Sequence, residues 1–285
     1  MNVSRSGKGS GLTDKVKIRK LSRFADFEKL IPIQQAVWGH DELDVTPIHQ
    51  FCISSRMGAI LIGAYVGEVL AGFVYSFPAI FRGRYCQHSH LLAVLPEFQG
   101  RGIGKMLKWA QRREALERKI GLITWTFDPL QARNANLNLH TLGGDSRTFY
   151  DDFYGRIPTL CLGPGIPTDR LLIEWRIGGK RVSGKPGAPG ALPEPHHSAV
   201  VLHRKNPDDP LSRPAAPDLR LKSAVVLAEV MKDVRSLAGR PDLIAEWQAG
   251  LRRTFRHYFA GGYRAEDFIF GERCFYVLRR TRLAR

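Results

Sequence analysis

Cysteine is scarce in this chain, and the four that occur are far apart: Cys52, Cys86, Cys161 and Cys274. They form no Cys-x-x-Cys pair and no ladder with histidine, so the ligand spacing of a structural zinc site is missing. A chain of 285 residues can also build a core without disulfides. We therefore expect free thiols, a reducing cytoplasmic location and no bound metal.

Acidic residues are also few, with 27 against 43 lysines and arginines, which gives a formal net charge of +16. Such a surplus favours anionic partners, namely nucleic acid, anionic lipid or a phosphorylated small molecule. A basic surface that is simply solvated explains the same composition. The net charge alone does not distinguish a protein with an anionic partner from one with a solvated basic surface.

No uninterrupted apolar run is long enough to cross a membrane. The nearest candidate, Met57 to Phe81, is broken near its middle by Gly67-Glu68, and a carboxylate is costly in lipid. Two buried strands joined by a tight turn at that dipeptide explain the stretch better. Residues 1–14 are polar, without the apolar core of a secretion signal, and we expect a disordered tail. No membrane partner is predicted.

Strand and helix patterns alternate along residues 15–178, which predicts an α/β domain. The predicted order is strand, two helices, hairpin, strand, helix, strand, helix and strand. In the first helix Pro32 offers a break, and Thr46 is the expected N-cap of the second. The third helix follows the strand Tyr85 to Leu95 and should end near Ile120, before Gly121. Arg170 to Ile177 is the last strand.

Residues 179–198 are rich in glycine and proline and predict a linker. Beyond it, residues 199–285 predict a smaller α/β lobe. "SAVVL" occurs twice there, at Ser198 and Ser223, which we interpret as two similar strands. A helix should start at Pro241 and stop at Gly261, and "DFIF" and "CFYVLRR" predict closing strands. The helix has one apolar stripe: Ile244, Trp247, Leu251, Phe255 and Tyr258.

Three glycines, Gly100, Gly102 and Gly104, lie between a strand and a basic helix in "LPEFQGRGIGKMLKWAQRR". A helix N-terminus has free N–H groups and a partial positive charge, which suit a phosphate. The helix then carries four cations that could hold further phosphates: Lys105, Lys108, Arg112 and Arg113. A Walker loop is excluded because Lys105 is followed by methionine, and a dinucleotide fingerprint needs GxGxxG where this chain has GxGxG.

The remaining pattern, Gln99-x-x-Gly102-x-Gly104 after the "LLAVLP" strand and turn, resembles motif A of the GNAT superfamily of CoA-dependent N-acyltransferases. "FDPLQARNANLNLHTLG" is similar to the helix that follows the fifth strand in that family. The longer "TFDPL…RN…LNL…LG…FYG" string is similar to a little-characterised branch with an extra C-terminal region. The resemblance covers residues 15–178 and implies the GNAT fold, with a central mixed sheet, followed by the smaller lobe.

The resemblance also implies a ligand and its contacts. Acetyl-CoA or another acyl-CoA would be the co-substrate, and a small-molecule or peptide amine would be the acceptor. The strand end would offer backbone groups to the pantetheine arm and the thioester, and Asn134 would touch that arm. The strand-end residues are Leu92, Ala93 and Val94, and the pyrophosphate loop is Gln99, Gly100, Arg101, Gly102, Ile103, Gly104 and Lys105.

Direct attack by an amine needs a base for the ammonium and an acid for the leaving sulfur. The tyrosine that many family members use as acid aligns here with Leu139, so Tyr154 is our candidate, with Tyr150 or water as alternatives. For the base we name His90 and Asp128. A hydrogen-bonded structural histidine is the competing explanation for His90. For Asp128 the competing explanation is an Asx turn before Pro129.

Two other functions remain open at this stage. A CoA-binding protein without catalysis would agree with the missing tyrosine. A basic RNA-associated protein would use the arginines of the late helix and the C-terminus, although no known RNA-binding motif accompanies them and we do not expect a nucleic-acid partner. These arginines are Arg252, Arg253, Arg256, Arg279, Arg280, Arg282 and Arg285. The C-terminal lobe could cover the acceptor cleft or pair two chains as a homodimer.

Overall fold

The structure is a computed structural model, and it describes residues 15–39, 44–155, 166–183, 199–237 and 239–281. The predicted tail, residues 184–198 of the predicted linker, Cys161, Arg282 and Arg285 lie outside the described residues. The remaining three cysteines carry free thiols.

Helices and strands alternate in the first part of the chain, as the sequence predicts. The helices are α1 (Phe24–Glu28), α2 (Leu30–Trp38), α3 (Ile48–Arg56), α4 (Ile103–Glu117), α5 (Ala132–Ala135), α6 (Lys180–Ser183) and α7 (Pro241–Ala260). The strands are β1 (Lys17–Lys20), β2 (Ile60–Val66), β3 (Val69–Phe81), β4 (Arg84–Val94), β5 (Leu122–Phe127), β6 (Asp145–Tyr150), β7 (Arg170–Arg176), β8 (Ala199–Leu202), β9 (Val225–Val230), β10 (Tyr263–Phe270) and β11 (Cys274–Arg280).

The described strands form one mixed sheet in the order β1-β2-β3-β4-β5-β7-β6-β10-β11-β9-β8. The pairs β4–β5 and β8–β9 are parallel, and the other neighbouring pairs are antiparallel. The C-terminal strands join the rest through β6 and β10, where Ser146 lies opposite Ala265. The C-terminal region therefore extends the sheet of the preceding domain.

Helices cover the two faces of the sheet differently. On one face α1 and α3 pack on β2, β3 and β4 around buried aromatic side chains, among them Phe27, Phe51 and Phe73. On the other face α4 and α7 contribute to one continuous buried cluster, in which Trp175 and Trp247 are among the largest members. Strands β5, β7 and β6 are packed by helices on the same face of the sheet as α4. Their opposite face is therefore available for a functional site.

The apolar run Met57 to Phe81 is a hairpin, as predicted. β2 and β3 pair antiparallel, and the turn between them places Gly67 at φ 59°, in the left-handed region that favours glycine. Throughout the part of the chain that the structure covers, no helix is long and apolar enough to span a bilayer.

Three predicted helix boundaries are wrong. The first helical stretch breaks at Lys29, not at Pro32, because Pro32 lies in the first turn of α2, where proline is tolerated. Thr46 is not the cap of α3, since an extended Pro47 precedes that helix without a side-chain cap. α4 ends at Glu117 rather than near Ile120, and Lys119 then turns into the left-handed region at φ 60°.

Three segments differ from the prediction. β6 was not predicted, because its sequence, Asp145–Tyr150, is mostly polar and only half-buried. The predicted short helix at 131–144 is α5 followed by a π-helical turn, Asn136–Thr141, and it closes at Gly143 with φ 71°. The predicted linker begins with α6 instead of irregular chain.

The C-terminal predictions agree well with the structure. Each "SAVVL" segment contributes to a strand, the first to β8 from Ala199 and the second to β9 from Val225, and the two strands pair side by side. Every member of the predicted apolar stripe of α7 is buried. Three arginines of the predicted basic cluster are engaged in ion pairs: Arg252 with Asp169, Arg256 with Asp151 and Arg279 with Glu266. This use of the charges weakens the RNA-associated alternative.

Candidate active site

β4 and β5 run side by side for only two residues and then separate. The parallel ladder joins Gln87 to Ile123 and His88 to Thr124. β4 continues to Val94 and β5 to Phe127. The sheet therefore opens into a cleft between the carboxyl ends of two parallel strands, the usual place for a ligand in an α/β sheet.

The edge of β4 along this cleft presents backbone hydrogen-bonding groups. The Leu95 N–H donates to the Ala71 carbonyl at 2.9 Å, and in an antiparallel ladder such bonded positions alternate. Leu92 and Val94 therefore direct their N–H and C=O groups away from β3, toward the cleft. The Gln99 side-chain amide donates to the Val94 carbonyl at 3.0 Å, which agrees with that direction. The Leu92 N–H remains available to a ligand, while Ala93 is directed toward β3.

A β-bulge changes which side chains face the cleft. Ser89 lies opposite Ser76, but Leu91 lies opposite Tyr75, so His90 is the extra residue. Ser89 bonds to side chains of α4, whereas the His90 ring lies 5.7 Å from the Phe77 ring, centroid to centroid, on the opposite face. The bulge thus turns His90 and Leu91 to the same face, which strict alternation along the strand does not predict.

The glycine loop leads from β4 into α4. After a single 3-10 turn, Gly100 and Gly102 adopt φ angles of 78° and 75°, and Gly102 directly precedes the helix. The first helical bond runs from the Met106 N–H to the Gly102 carbonyl. The N–H groups of Ile103, Gly104 and Lys105 therefore lack partners within the helix and point from its N-terminus. This is the backbone arrangement that a pyrophosphate requires.

Only part of the predicted basic helix face is available for phosphates. Arg101 is exposed and Lys105 is half-buried at the loop. Lys108, in contrast, is 2% exposed; its Nζ donates to Ser89 and Gln111 and lies 3.7 Å from the centre of the Trp125 ring. Arg112 donates to the Ile177 carbonyl at 2.9 Å. The prediction that Lys108 and Arg112 hold phosphates is wrong, because both are used to pack α4 on the sheet.

The loop glycines predict different outcomes for two matched substitutions. In Gly102→Ala the new side chain meets no atom within 4 Å, so the cost is backbone strain at positive φ, about 1–2 kcal/mol. We expect acetyl-CoA to bind about tenfold more weakly in isothermal titration calorimetry. Gly104→Ala should bind within about twofold of wild type, because that residue is helical and its Cβ makes ordinary contacts at 3.9 Å or more. Equal weakening in both variants would contradict the proposed role of the loop conformation.

The two histidines of β4 differ in their surroundings. His88 Nδ1 lies 3.1 Å from Thr124 Oγ1, and burial lowers the pKa of His88 to about 4, with contributions from His90 and Lys108. His90 is solvent-exposed, yet the surrounding protein lowers its pKa below the ordinary value by desolvation. A neutral imidazole that is open to solvent can accept a proton. His90, not His88, therefore has the properties of a base.

Asp128 follows β5 on the far side of the cleft. Its Oδ1 accepts the Leu130 N–H at 2.9 Å, which is the Asx turn expected from the sequence. Burial nevertheless raises the pKa of Asp128, against the opposing charge of Arg170. The turn and the raised pKa are compatible, because the Asx bond uses one carboxylate oxygen.

Tyr154 reaches the same face of β5. Its hydroxyl lies 3.2 Å from Thr126 Oγ1, two residues before Asp128, and the Arg170 guanidinium lies over its ring at 5.2 Å. Thr124, Thr126 and Asp128 alternate onto one face, because side-chain directions repeat every second residue of a strand. His88, Tyr154 and Asp128 thus lie along a single side of β5.

The segment after β5 carries Asn134, the predicted contact of the pantetheine arm, and Leu139, at the position of the usual acid. Asn134 is exposed on α5, and within the described residues its side chain makes no hydrogen bond. Leu139 is completely buried in the core, so the position of the usual tyrosine offers no acid here. Leu137 lies near Gly104, where the π-helical turn meets the start of α4. π-helical turns are frequent at functional sites.

Sequence reasoning missed Arg170 and Thr126. Arg170 is 7% exposed at the start of β7 and lies beside both Tyr154 and Asp128. The sequence signal for Arg170 was its position as a charged residue at the start of the apolar strand "RLLIEW". Thr126 offered none, since threonine is ordinary in a strand. Across the described residues, no group of three potential metal-ligating side chains is present.

Comparisons with known proteins agree with this geometry. The Acetyltransferase (GNAT) family model matches residues 25–143. A search of curated proteins finds no significant match.

Similar solved structures include three acetyltransferases, each of which is 15–18% identical to this chain. The ribosomal-protein-S18-alanine N-acetyltransferase from Escherichia coli aligns over 57% of this chain and 94% of its own, with 15% identity and a TM-score of 0.45. PaiA N-acetyltransferase from Thermoplasma acidophilum, in complex with coenzyme A, aligns over 57% and 99%, with 16% identity and a TM-score of 0.41. A GNAT family acetyltransferase from Elizabethkingia anophelis, with acetyl-CoA bound, aligns over 57% and 99%, with 18% identity and a TM-score of 0.44.

The separated strands, the glycine loop and the matched family define the class of protein as an acyl-CoA-dependent acyltransferase. Residues 25–143 match the GNAT acetyltransferase family, whose reaction is acyl transfer from acyl-CoA to an amine.

Proposed function

We propose that this protein transfers an acetyl group from acetyl-CoA to a primary amine held on the face of β5 opposite α4. The observation that carries the proposal is the separation of β4 and β5 after His88 and Thr124, directly beside the glycine loop. A cleft with free backbone donors on the β4 wall and titratable groups on both walls meets the needs of thioester aminolysis.

The donor would bind along β4 and the start of α4. Free N–H groups of Ile103, Gly104 and Lys105, together with the Lys105 ammonium, would hold the pyrophosphate. Gly100 and Gly102 carry no side chains and leave room for its approach. The Leu92 N–H would donate to the thioester carbonyl as negative charge develops on its oxygen. Bound CoA supplies the thiolate leaving group.

His90 and Asp128 would prepare the amine. The carboxylate of Asp128 attracts an ammonium group, and the neutral His90 ring accepts its proton. The Tyr154 hydroxyl, held near Thr126, would donate a proton to the departing sulfur. His90 lies on β4, the strand that would hold the donor, while Asp128 and Tyr154 lie beside β5, so the acceptor amine would approach between the two strands.

The test measures binding and turnover separately. Isothermal titration calorimetry with acetyl-CoA gives the affinity, and thiol release over a panel of aminoglycosides, polyamines, amino acids and peptide N-termini gives the turnover. We expect saturable binding and amine-dependent thiol release with at least one class of acceptor. Binding without release on any amine would leave the second candidate, a CoA-binding protein without catalysis, which the buried Leu139 at the usual acid position favours.

A further inference from the structure

We propose that Arg252, on helix α7 of the C-terminal region, is a positioning residue that fixes Tyr154 and Arg170 in the active site through Asp169. This inference rests on the proposed roles of Tyr154 and Asp128. It gives the C-terminal region a direct part in the reaction of the preceding domain.

The first contact is an ion pair between α7 and the residue before β7. Arg252 Nε and Nη2 donate to the two carboxylate oxygens of Asp169 at 2.9 and 2.7 Å. The Asp169 side chain is fully buried, and the Arg252 side chain is 28% exposed. Two parallel charge-assisted bonds fix both the position and the orientation of the carboxylate.

Asp169 in turn holds the turn that carries Tyr154. Its Oδ1 accepts the Asp152 N–H at 3.0 Å, and Asp152 sits in the left-handed region at φ 42°. The Asp152 carboxylate accepts the Thr168 N–H, and Thr168 Oγ1 accepts the Tyr154 N–H at 2.8 Å. A chain of hydrogen bonds therefore runs from Arg252 to the Tyr154 backbone.

Asp169 also sets the place of Arg170. The Arg170 Nη1 donates to the Asp169 backbone carbonyl at 2.8 Å, while its guanidinium lies over the Tyr154 ring. Without Arg252, the cation next in sequence to the buried Asp169 carboxylate is Arg170. Pairing of those neighbours would draw the guanidinium away from both Tyr154 and Asp128, because a buried carboxylate without a cation is unfavourable.

The pKa of Asp128 provides a test, because it would not change if Arg252 only stabilised the fold. The groups around it are Arg170 and Asp169 at the start of β7, the Leu130 N–H and Gln131 of its own turn, and Tyr276 of β11. Arg170 lowers the pKa of Asp128 and Asp169 raises it. Loss of Arg252 would draw Arg170 toward Asp169 and away from Asp128, and this change raises the pKa of Asp128. The acidic limb of the rate profile would then move to higher pH.

The experiment compares Arg252→Gln with Arg253→Gln in the full chain. Arg253 is the neighbouring exposed arginine of the same helix and makes no ion pair within the described residues, so it controls for lost charge. We expect Arg252→Gln to lower kcat about tenfold or more, to shift the acidic limb upward and to speed amide hydrogen exchange at residues 152–154. Arg253→Gln should match wild type. The double variant Arg252→Gln/Asp169→Asn should recover part of the loss, because the buried charge is gone.

Several outcomes would overturn the proposal. A lower melting temperature with unchanged exchange at 152–154 and an unchanged acidic limb would make Arg252 a purely stabilising residue. Equal effects in both single variants would assign the change to net charge. Failure of the proposed function would be seen separately, since wild type would then release no thiol with any amine, or Tyr154→Phe would turn over normally. In either case, amide exchange at residues 152–154 would still report whether Arg252 holds the turn.

Discussion

Asp128→Asn is expected to lower kcat/KM by about 10- to 100-fold, because the variant loses the carboxylate that attracts the acceptor ammonium group. Asparagine keeps the Asx turn, since its side-chain oxygen can still accept the Leu130 N–H. A loss of turnover in this variant therefore cannot come from loss of the turn. Turnover and acetyl-CoA affinity, measured side by side, should show that binding is retained.

The raised pKa of Asp128 also predicts how turnover depends on pH. Wild-type turnover should fall as pH drops through that pKa, above the ordinary aspartate value of about 3.9, and the Asn variant should lack this limb. The ionised form of a carboxyl with a raised pKa destabilises the fold, so the variant should melt no lower than wild type at pH 7. Asp209→Asn is the control, because Asp209 forms the same kind of turn with Leu211 in an exposed loop. Normal turnover in Asp128→Asn would assign Asp128 to the turn alone.

Glu229→Gln is expected to give the largest loss of stability, about 3–5 kcal/mol. Glu229 is fully buried on β9 and bonds two arginines, Arg204 at 2.6 Å and Arg273 at 2.6 Å. Arg204 is also buried, so a neutral glutamine would leave its charge without a counter-ion. Thermal unfolding should show a drop in Tm of roughly 6–15 °C.

The pH dependence of this ion pair follows from the pKa of Glu229. Burial alone would raise that pKa, but hydrogen bonds from Arg273 and Arg204 hold it below the ordinary value. The stabilisation is therefore complete above about pH 4.3, the unfolded value, and is lost as pH falls through the lower folded pKa. Asp242→Asn is the control, because Asp242 forms exposed ion pairs with Arg213 and Arg240, and its Tm should be unchanged. An unchanged Tm in Glu229→Gln would show that the buried triad does not stabilise the fold.

The C-terminal region has a different role from the one its arginines suggest. Arg252 and Arg256 lie off the apolar stripe of α7, as a phosphate-binding surface would require, but both pair with aspartates of the preceding domain. Tyr276 of β11 also donates to the Pro129 carbonyl at 2.7 Å, directly beside Asp128. The two parts of the chain are thus joined at the residues that line the cleft.

Local sequence patterns by themselves determined the alternation of strands and helices, the hairpin turn at Gly67 and the phosphate loop. Each depends on backbone conformation or on side-chain periodicity within a few residues, so a short stretch of sequence contains the necessary information. The positive φ angles of Gly100 and Gly102 are an example, because residues with a Cβ rarely adopt them. The match to motif A could be recognised for the same reason.

Only the tertiary structure decided which of these residues meet. The bulge that turns His90, the burial of Lys108 under Trp125 and the contact of Tyr154 with Thr126 all depend on neighbouring strands. The pair of Arg252 and Asp169 joins residues 83 positions apart. Such contacts follow from how the strands are ordered and paired in the sheet, and a charged side chain on a helix can serve either a ligand or the core until that packing is known.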